Sequence, residues 1–116
     1  MNYLDFEAGN KAYKLRLNTR NIVALEKRLG CNPMMIFGKD GERFPTVEDM
    51  VNVLWASLQQ YQHGISTDDA YDIFDAYLAE GHNPMEFLPI LFDIYKVSGL
   101  IPKDAKIDEE DNAVKN

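Results

Sequence analysis

The segment from residue 84 to residue 98 is apolar around nearly its whole circumference. It reads PMEFLPILFDIYKVS, and only Glu86, Asp93 and Lys96 place charge on it. A surface helix of a small domain needs a single apolar stripe, so this segment has two interpretations. Either the other elements wrap it as a central helix, or part of it meets another chain, and both can hold at once. Any fold of the chain therefore has to cover this segment.

The opening residues predict a β-hairpin over residues 3–17. The sequences YLDFE and AYKLRL alternate apolar and polar residues on either side of Gly9 and Asn10. These two residues suit a two-residue turn that needs positive φ. The resulting register places Phe6 opposite Tyr13. A lone hairpin is marginally stable in water, so its apolar face must lie on the helices.

The rest of the chain predicts helices with short links. Residues that cap helix N-termini, such as Thr46 and either Ser66 or Thr67, precede runs with helical apolar spacing, and glycines follow these runs. The main helices are predicted at about residues 19–29, 46–62, 67–80 and 84–98. Pro89 is expected to remove one backbone hydrogen bond and bend the last helix.

Three further segments complete the predicted organisation. Residues 33–38 predict one short turn that begins at Pro33, and residues 39–45 predict a loop. Residues 100–116 have weak periodicity and many charges, which predicts a flexible acidic tail. The predicted fold is α+β and mostly α, a single domain over residues 1–99 with the N-terminal hairpin packed on a small bundle of about four main helices.

Composition and motifs indicate a binding protein rather than an enzyme. Nineteen acidic residues against twelve basic ones give a net charge of −7, which argues against a nucleic-acid surface. No apolar run is long enough for a membrane span. The single cysteine, Cys31, cannot form a disulfide within the chain, which is typical of a reducing cytosol. The sequence has no phosphate loop, dinucleotide fingerprint or serine elbow, so we expect no catalytic residues and no cofactor.

Two groups of titratable residues were weighed as metal sites. His63 and His82 both lie beside glycines at helix C-termini, where a structural role is favoured over metal binding. Asp68, Asp72 and Asp75 fall on one helix face, but they lack the spacing and the glycine of a calcium loop. A solvated acidic face is the favoured interpretation, and we expect no metal. An acidic or calcium-binding regulatory module remains an alternative.

The order of three sequence pieces resembles a known family. The pieces are YLDFEAGNKAYKLRLNTRNIVALEKRLGCNPMMIF, then DMVNVLWASLQQYQHGISTDDAYDIFDAYLAEG, then the apolar last helix. Together they resemble the tail assembly chaperones of long-tailed, siphophage-type bacteriophages and prophages, over roughly residues 3–99. None of the pieces is a catalytic motif, so the resemblance depends on their order and spacing.

The resemblance implies a role in building a phage tail. Such chaperones bind the long helical tape-measure protein, keep it soluble and promote assembly of tail-tube subunits around it. They act in the cytoplasm of the host bacterium, are absent from the mature virion and can self-associate. Many also exist as a longer form made by ribosomal frameshifting. The A-rich codons that can encode Lys115 and Asn116 are consistent with such a slip. The main alternative is a structural subunit of a tail or similar assembly.

A chaperone of a helical client needs an apolar groove or face. The last helix, with its excess of apolar surface, is the predicted location. The predicted partner-binding residues are Phe87, Leu91, Ile94 and Tyr95, with Trp55 and Tyr61 as neighbours.

Overall fold

The fold consists of a β-hairpin followed by four α-helices, in the predicted order. The computed structural model describes residues 2–105. Its elements are β1 (Leu4–Ala8), β2 (Lys11–Leu15), α1 (Thr19–Leu29), a 3₁₀ helix (Pro33–Phe37), α2 (Val47–Leu58), α3 (Thr67–Ala79), a second 3₁₀ helix (Pro84–Phe87) and α4 (Leu88–Val97). The predicted α+β class, mostly α with an N-terminal hairpin, is confirmed.

The hairpin has the predicted turn and register. Gly9 and Asn10 have φ angles of 59° and 63°, which is the left-handed conformation that a two-residue turn requires. Phe6 lies opposite Tyr13, as predicted. The turn contacts α3, because the N–H of Gly9 donates to Oε2 of Glu80 at 2.9 Å. The hairpin is therefore held at its tip as well as along its apolar face.

The outer edge of β2 is closed by residues at and beyond the end of α2. The N–H of Lys14 donates to Oε1 of Gln62 at 2.8 Å, and Nε2 of Gln62 donates to the Lys14 carbonyl at 3.0 Å. The N–H of Arg16 donates to the carbonyl of Ser57 at 2.9 Å. Asp5 is the partner of Lys14 across the ladder. Because the backbone groups of Lys14 point away from β1, those of Asp5 point away from β2, to the opposite edge of the hairpin.

The helix α2 ends at Leu58, before the predicted end at residue 62. Side-chain amides donate to the carbonyls at the end of α2, in place of the backbone N–H groups of a further helical turn. Nε2 of Gln59 donates to the carbonyls of Trp55 at 2.9 Å and Ile65 at 3.0 Å, and Nε2 of Gln62 donates to the Leu58 carbonyl at 2.8 Å. Because these side chains satisfy the last carbonyls of the helix, the chain can turn before Gly64.

The last predicted helix is divided into two parts. A 3₁₀ turn over Pro84–Phe87 leads into α4, and Pro89 lies in the first turn of α4. A backbone N–H in the first turn has no intrahelical partner, so proline costs no helical hydrogen bond there. The expected loss of a helical hydrogen bond at Pro89 is therefore corrected, because α4 begins at Leu88 and places this proline in its first turn.

The helix α4 packs its apolar face into the core of the domain. Leu15 of β2, Leu54 of α2 and Ile94 of α4 are each 0% exposed and belong to one core cluster. The N–H of Leu17 donates to Oγ of Ser98 at 2.8 Å, which ties the chain after β2 to the end of α4. One face of the apolar last segment is therefore covered by the other elements, whereas Pro89 and Asp93 on it are exposed.

The predicted C-terminal tail is described only at its beginning. Leu100 and Ile101 are partly buried and pack against the core, so ordered packing continues past the predicted domain end at residue 99. Residues 106–116 of the predicted tail lie outside the described residues.

Candidate functional site

The four partner-binding residues predicted on the last helix are in the core. Phe87, Leu91, Ile94 and Tyr95 are all 0% exposed. Phe87 is surrounded by Phe6, Phe74 and Tyr77, with ring centroids between 5.2 and 5.9 Å apart. Side chains without exposed surface offer nothing to a partner in this structure. The predicted location of the partner surface is therefore corrected.

The two predicted neighbours, Trp55 and Tyr61, lie elsewhere. Trp55 is partly buried, and the Arg28 guanidinium covers its ring at 3.6 Å from the centroid. Tyr61 is 36% exposed and packs edge-on against Tyr3, with centroids 5.4 Å apart. The structure therefore does not bring the six predicted residues together as one surface.

An apolar groove lies instead between the first 3₁₀ helix, the loop that follows it, α4 and the residues after α4. Its volume is about 530 Å³, within the usual range of ligand sites. Two methionines, three phenylalanines and an isoleucine supply most of its apolar lining. These residues are Met34, Met35, Phe37, Phe44, Phe92 and Ile101. Phe44 is 64% exposed and Met35 is 43% exposed, so the groove opens to solvent.

The floor of the groove is positioned by Tyr95. Its hydroxyl donates to the Pro33 carbonyl at 2.9 Å, which fixes the first 3₁₀ helix against α4. The ring of Phe37 packs edge-on against Tyr95 at 6.1 Å and against Phe92 at 6.3 Å. Burial raises the pKa of the Tyr95 hydroxyl well above its usual range, with smaller effects from Asp49 and Cys31, and so keeps it a neutral donor.

One wall of the groove is the loop from Gly38 to Phe44. Gly38 has a φ of 85°, and a Cβ there would lie 2.8 Å from the carboxyl group of Glu42. That carboxylate accepts from the N–H of Asp40 at 2.7 Å, and hydrogen bonds from backbone N–H groups lower its pKa. The N–H of Arg43 donates to the Phe37 carbonyl at 2.9 Å. The loop is thus folded back on itself and holds Phe44 at the groove.

Of the titratable groups considered as metal ligands, His82 has local partners. His82 stacks on Tyr77 with centroids 4.3 Å apart, and its Nδ1 lies 3.3 Å from Oε2 of Glu86. Among residues 2–105, no three His, Cys, Asp or Glu side chains form a group that could hold a metal ion. No helix within this same range is both long and apolar enough to cross a membrane.

Sequence reasoning missed the groove because most of its residues, apart from Leu88 and Phe92, come from segments interpreted as a short turn, a loop and a tail. The available signal was the density of large apolar residues in NPMMIFGKDGERFP, where a solvated loop would be polar. Two adjacent methionines are also characteristic of adaptable binding surfaces.

The fold and the groove together define a small helical α+β protein with an open apolar site. A protein-family model matches residues 5–115, which is nearly the whole chain. The chain therefore belongs to this family, DUF6096, a family of unknown function. No curated protein matches the chain, and neither does any solved structure.

Proposed function

We propose that this protein is a phage tail assembly chaperone, which binds the tape-measure protein in the host bacterial cytoplasm and holds it soluble while tail-tube subunits assemble. The observation that carries the proposal is the open apolar groove, in which Phe44 and Met35 are exposed. Helix-binding proteins bury the apolar stripe of a partner helix in such a groove. The sequence resemblance to tail assembly chaperones supplies the identity of the client.

The composition of the groove suits a client with many similar helical segments. Methionine side chains are flexible and polarisable, so they adapt to apolar residues of different shape. Met34 and Met35 stand beside the rigid aromatic rings of Phe37 and Phe92, which are fixed by their edge-on contacts. A groove that combines fixed aromatic rings with flexible methionine side chains can bind apolar helices of varied sequence.

Co-expression with the tape-measure protein tests the proposal. The wild-type protein is expected to convert an otherwise insoluble tape-measure protein into a soluble complex. Phe44→Asp places a charge at the exposed groove and is expected to abolish this effect. Val23→Asp is the matched control, because Val23 is 44% exposed on α1 and does not line the groove. Circular dichroism establishes that both variants are folded.

Two results would contradict the chaperone role. One is a tape-measure protein that gains no solubility from the wild-type protein. The other is detection of this protein in many copies per purified particle by mass spectrometry, which would make it a structural subunit of the tail.

A further inference from the structure

The charged residues that line the groove are both basic. Lys39 and Arg43 belong to its lining, and no aspartate or glutamate does. This sign is opposite to that of the whole chain, whose net charge is −7. A third cation, Nζ of Lys96, lies 5.4 Å from the ring centroid of the groove residue Phe92 and 4.0 Å from Oδ1 of Asp93. The apolar floor is therefore bordered by positive charge.

Two of these three cations, Arg43 and Lys96, have a carboxylate partner, whereas Lys39 has none among the described residues. Oδ2 of Asp49 lies 3.4 Å from Nη2 of Arg43, but it also accepts from the N–H of Thr46 as part of the α2 cap. The Glu42 carboxylate is turned toward the backbone of its own loop. Within residues 2–105, Lys39 forms no ion pair.

Resting on the proposed function, we infer that the groove selects amphipathic helices whose apolar stripe is bordered by aspartate or glutamate. The stripe fills the space between the methionines and phenylalanines, and the flanking carboxylates meet Lys39 and Arg43. Charges at the rim of an interface give selectivity and register more than affinity. The groove thus favours acidic-flanked segments of the client over basic-flanked ones.

Fluorescence anisotropy with two labelled model peptides tests this inference. Both peptides are about 18 residues long, enough for a stable helix in complex, and carry the same leucine stripe at i, i+3, i+4 and i+7. One has glutamate at the bordering positions and the other has lysine. The glutamate peptide is expected to bind about fivefold more tightly or better at low salt, the ratio expected for two partly exposed ion pairs. The preference should shrink as salt is added.

Charge reversal at Lys39 tests whether the preference for the glutamate peptide arises at the groove. Lys39→Glu is expected to reduce the ratio of the two affinities to about twofold or less, because one of the two pairs becomes repulsive. Lys27→Glu is the matched control, because Lys27 is exposed on α1, outside the groove, and should leave the ratio unchanged. The same peptides are also measured with Phe44→Asp.

The outcomes separate this inference from the proposed function. If wild-type protein binds both peptides equally and Phe44→Asp abolishes both, the groove binds helices but the acidic preference is overturned. An equal effect of Lys39→Glu and Lys27→Glu also overturns it, since the preference would then come from net charge. If neither peptide binds at all, the helix-binding groove itself fails, and with it the proposed function.

Discussion

Tyr95 connects the core to the groove through a single hydroxyl group. Its ring is fully buried, and the hydroxyl donates to the Pro33 carbonyl. A buried polar group without a partner is costly, so this hydrogen bond matters for both atoms. The same ring supports Phe37, which lines the groove. A residue predicted as a partner contact therefore acts beneath the site rather than at its surface.

Tyr95→Phe should destabilise the fold by about 1–3 kcal/mol, the usual cost of leaving one buried group unsatisfied. The lost donor leaves the Pro33 carbonyl without its partner, while the aromatic contact with Phe37 remains. Urea denaturation followed by circular dichroism measures the effect. Tyr61→Phe, at a more exposed position, should leave the free energy of unfolding unchanged. Equal stability of Tyr95→Phe and wild type would show that the hydrogen bond contributes nothing.

At the scale of elements, the N-termini of α2 and α3 are fixed by reciprocal caps. Thr46 and Asp49 exchange hydrogen bonds at the start of α2, and Ser66 and Asp69 do the same at the start of α3. Such a cap satisfies N–H groups that the helix cannot, and it places a carboxylate at the positive end of the helix dipole. These starts were predicted correctly because each cap lies within four consecutive residues.

Because of the α3 cap, we expect the free energy of unfolding to depend on pH in the acid range. Hydrogen bonds from the backbone N–H and the side chain of Ser66 lower the pKa of Asp69 in the folded state. A lowered folded pKa means that the charged carboxylate stabilises the fold above its unfolded pKa, and that this contribution is lost as the pH falls through the folded pKa. Asp69→Asn should therefore be less stable at neutral pH and lose less stability in acid.

Urea denaturation at a series of pH values, from neutral to below the ordinary carboxyl pKa of 3.8, measures this dependence. Asp75→Asn is the control, because among the described residues Asp75 makes no side-chain hydrogen bond or ion pair. The linkage would be refuted by an Asp69→Asn curve that runs parallel to that of the wild type.

At the scale of the whole molecule, contacts between distant parts of the chain close the domain. Leu17 and Ser98 are joined across a separation of 81 residues, and Gly9 and Glu80 across 71. The hairpin therefore depends on α3 and on the end of α4, and neither end can unfold without exposing the core. This arrangement predicts a single cooperative unfolding transition.

Denaturation monitored by two probes checks this prediction. Fluorescence of Trp55, the only tryptophan, reports on the contact between α1 and α2, whereas far-ultraviolet circular dichroism reports on all helices. The two transitions should have the same midpoint and slope. A tryptophan transition at lower denaturant than the loss of helix would reveal a separately unfolding part.

Features set by residues close together in the sequence could be predicted, whereas features that depend on contacts between distant residues could not. The Gly9–Asn10 turn, the caps and the order of the helices follow from local residues and periodicity. The end of α2 depends on Gln62 reaching Lys14, 48 residues away, which no local pattern encodes. The groove joins three segments that are distant in sequence. The sequence of an apolar helix is also the same whether the chain itself or a partner covers it, so periodicity alone does not distinguish the buried Leu91 from a partner contact.

The Gln62 amide, which hydrogen-bonds both backbone groups of Lys14, affects how the protein aggregates at high concentration. An unpaired strand edge is a template on which further chains stack into aggregates. Gln62 and Ser57 occupy that template along β2. The other edge belongs to β1, whose outward backbone groups sit at the acidic residues Asp5 and Glu7. Two molecules approaching through that edge bring like charges together, which disfavours pairing between hairpins even at high protein concentration.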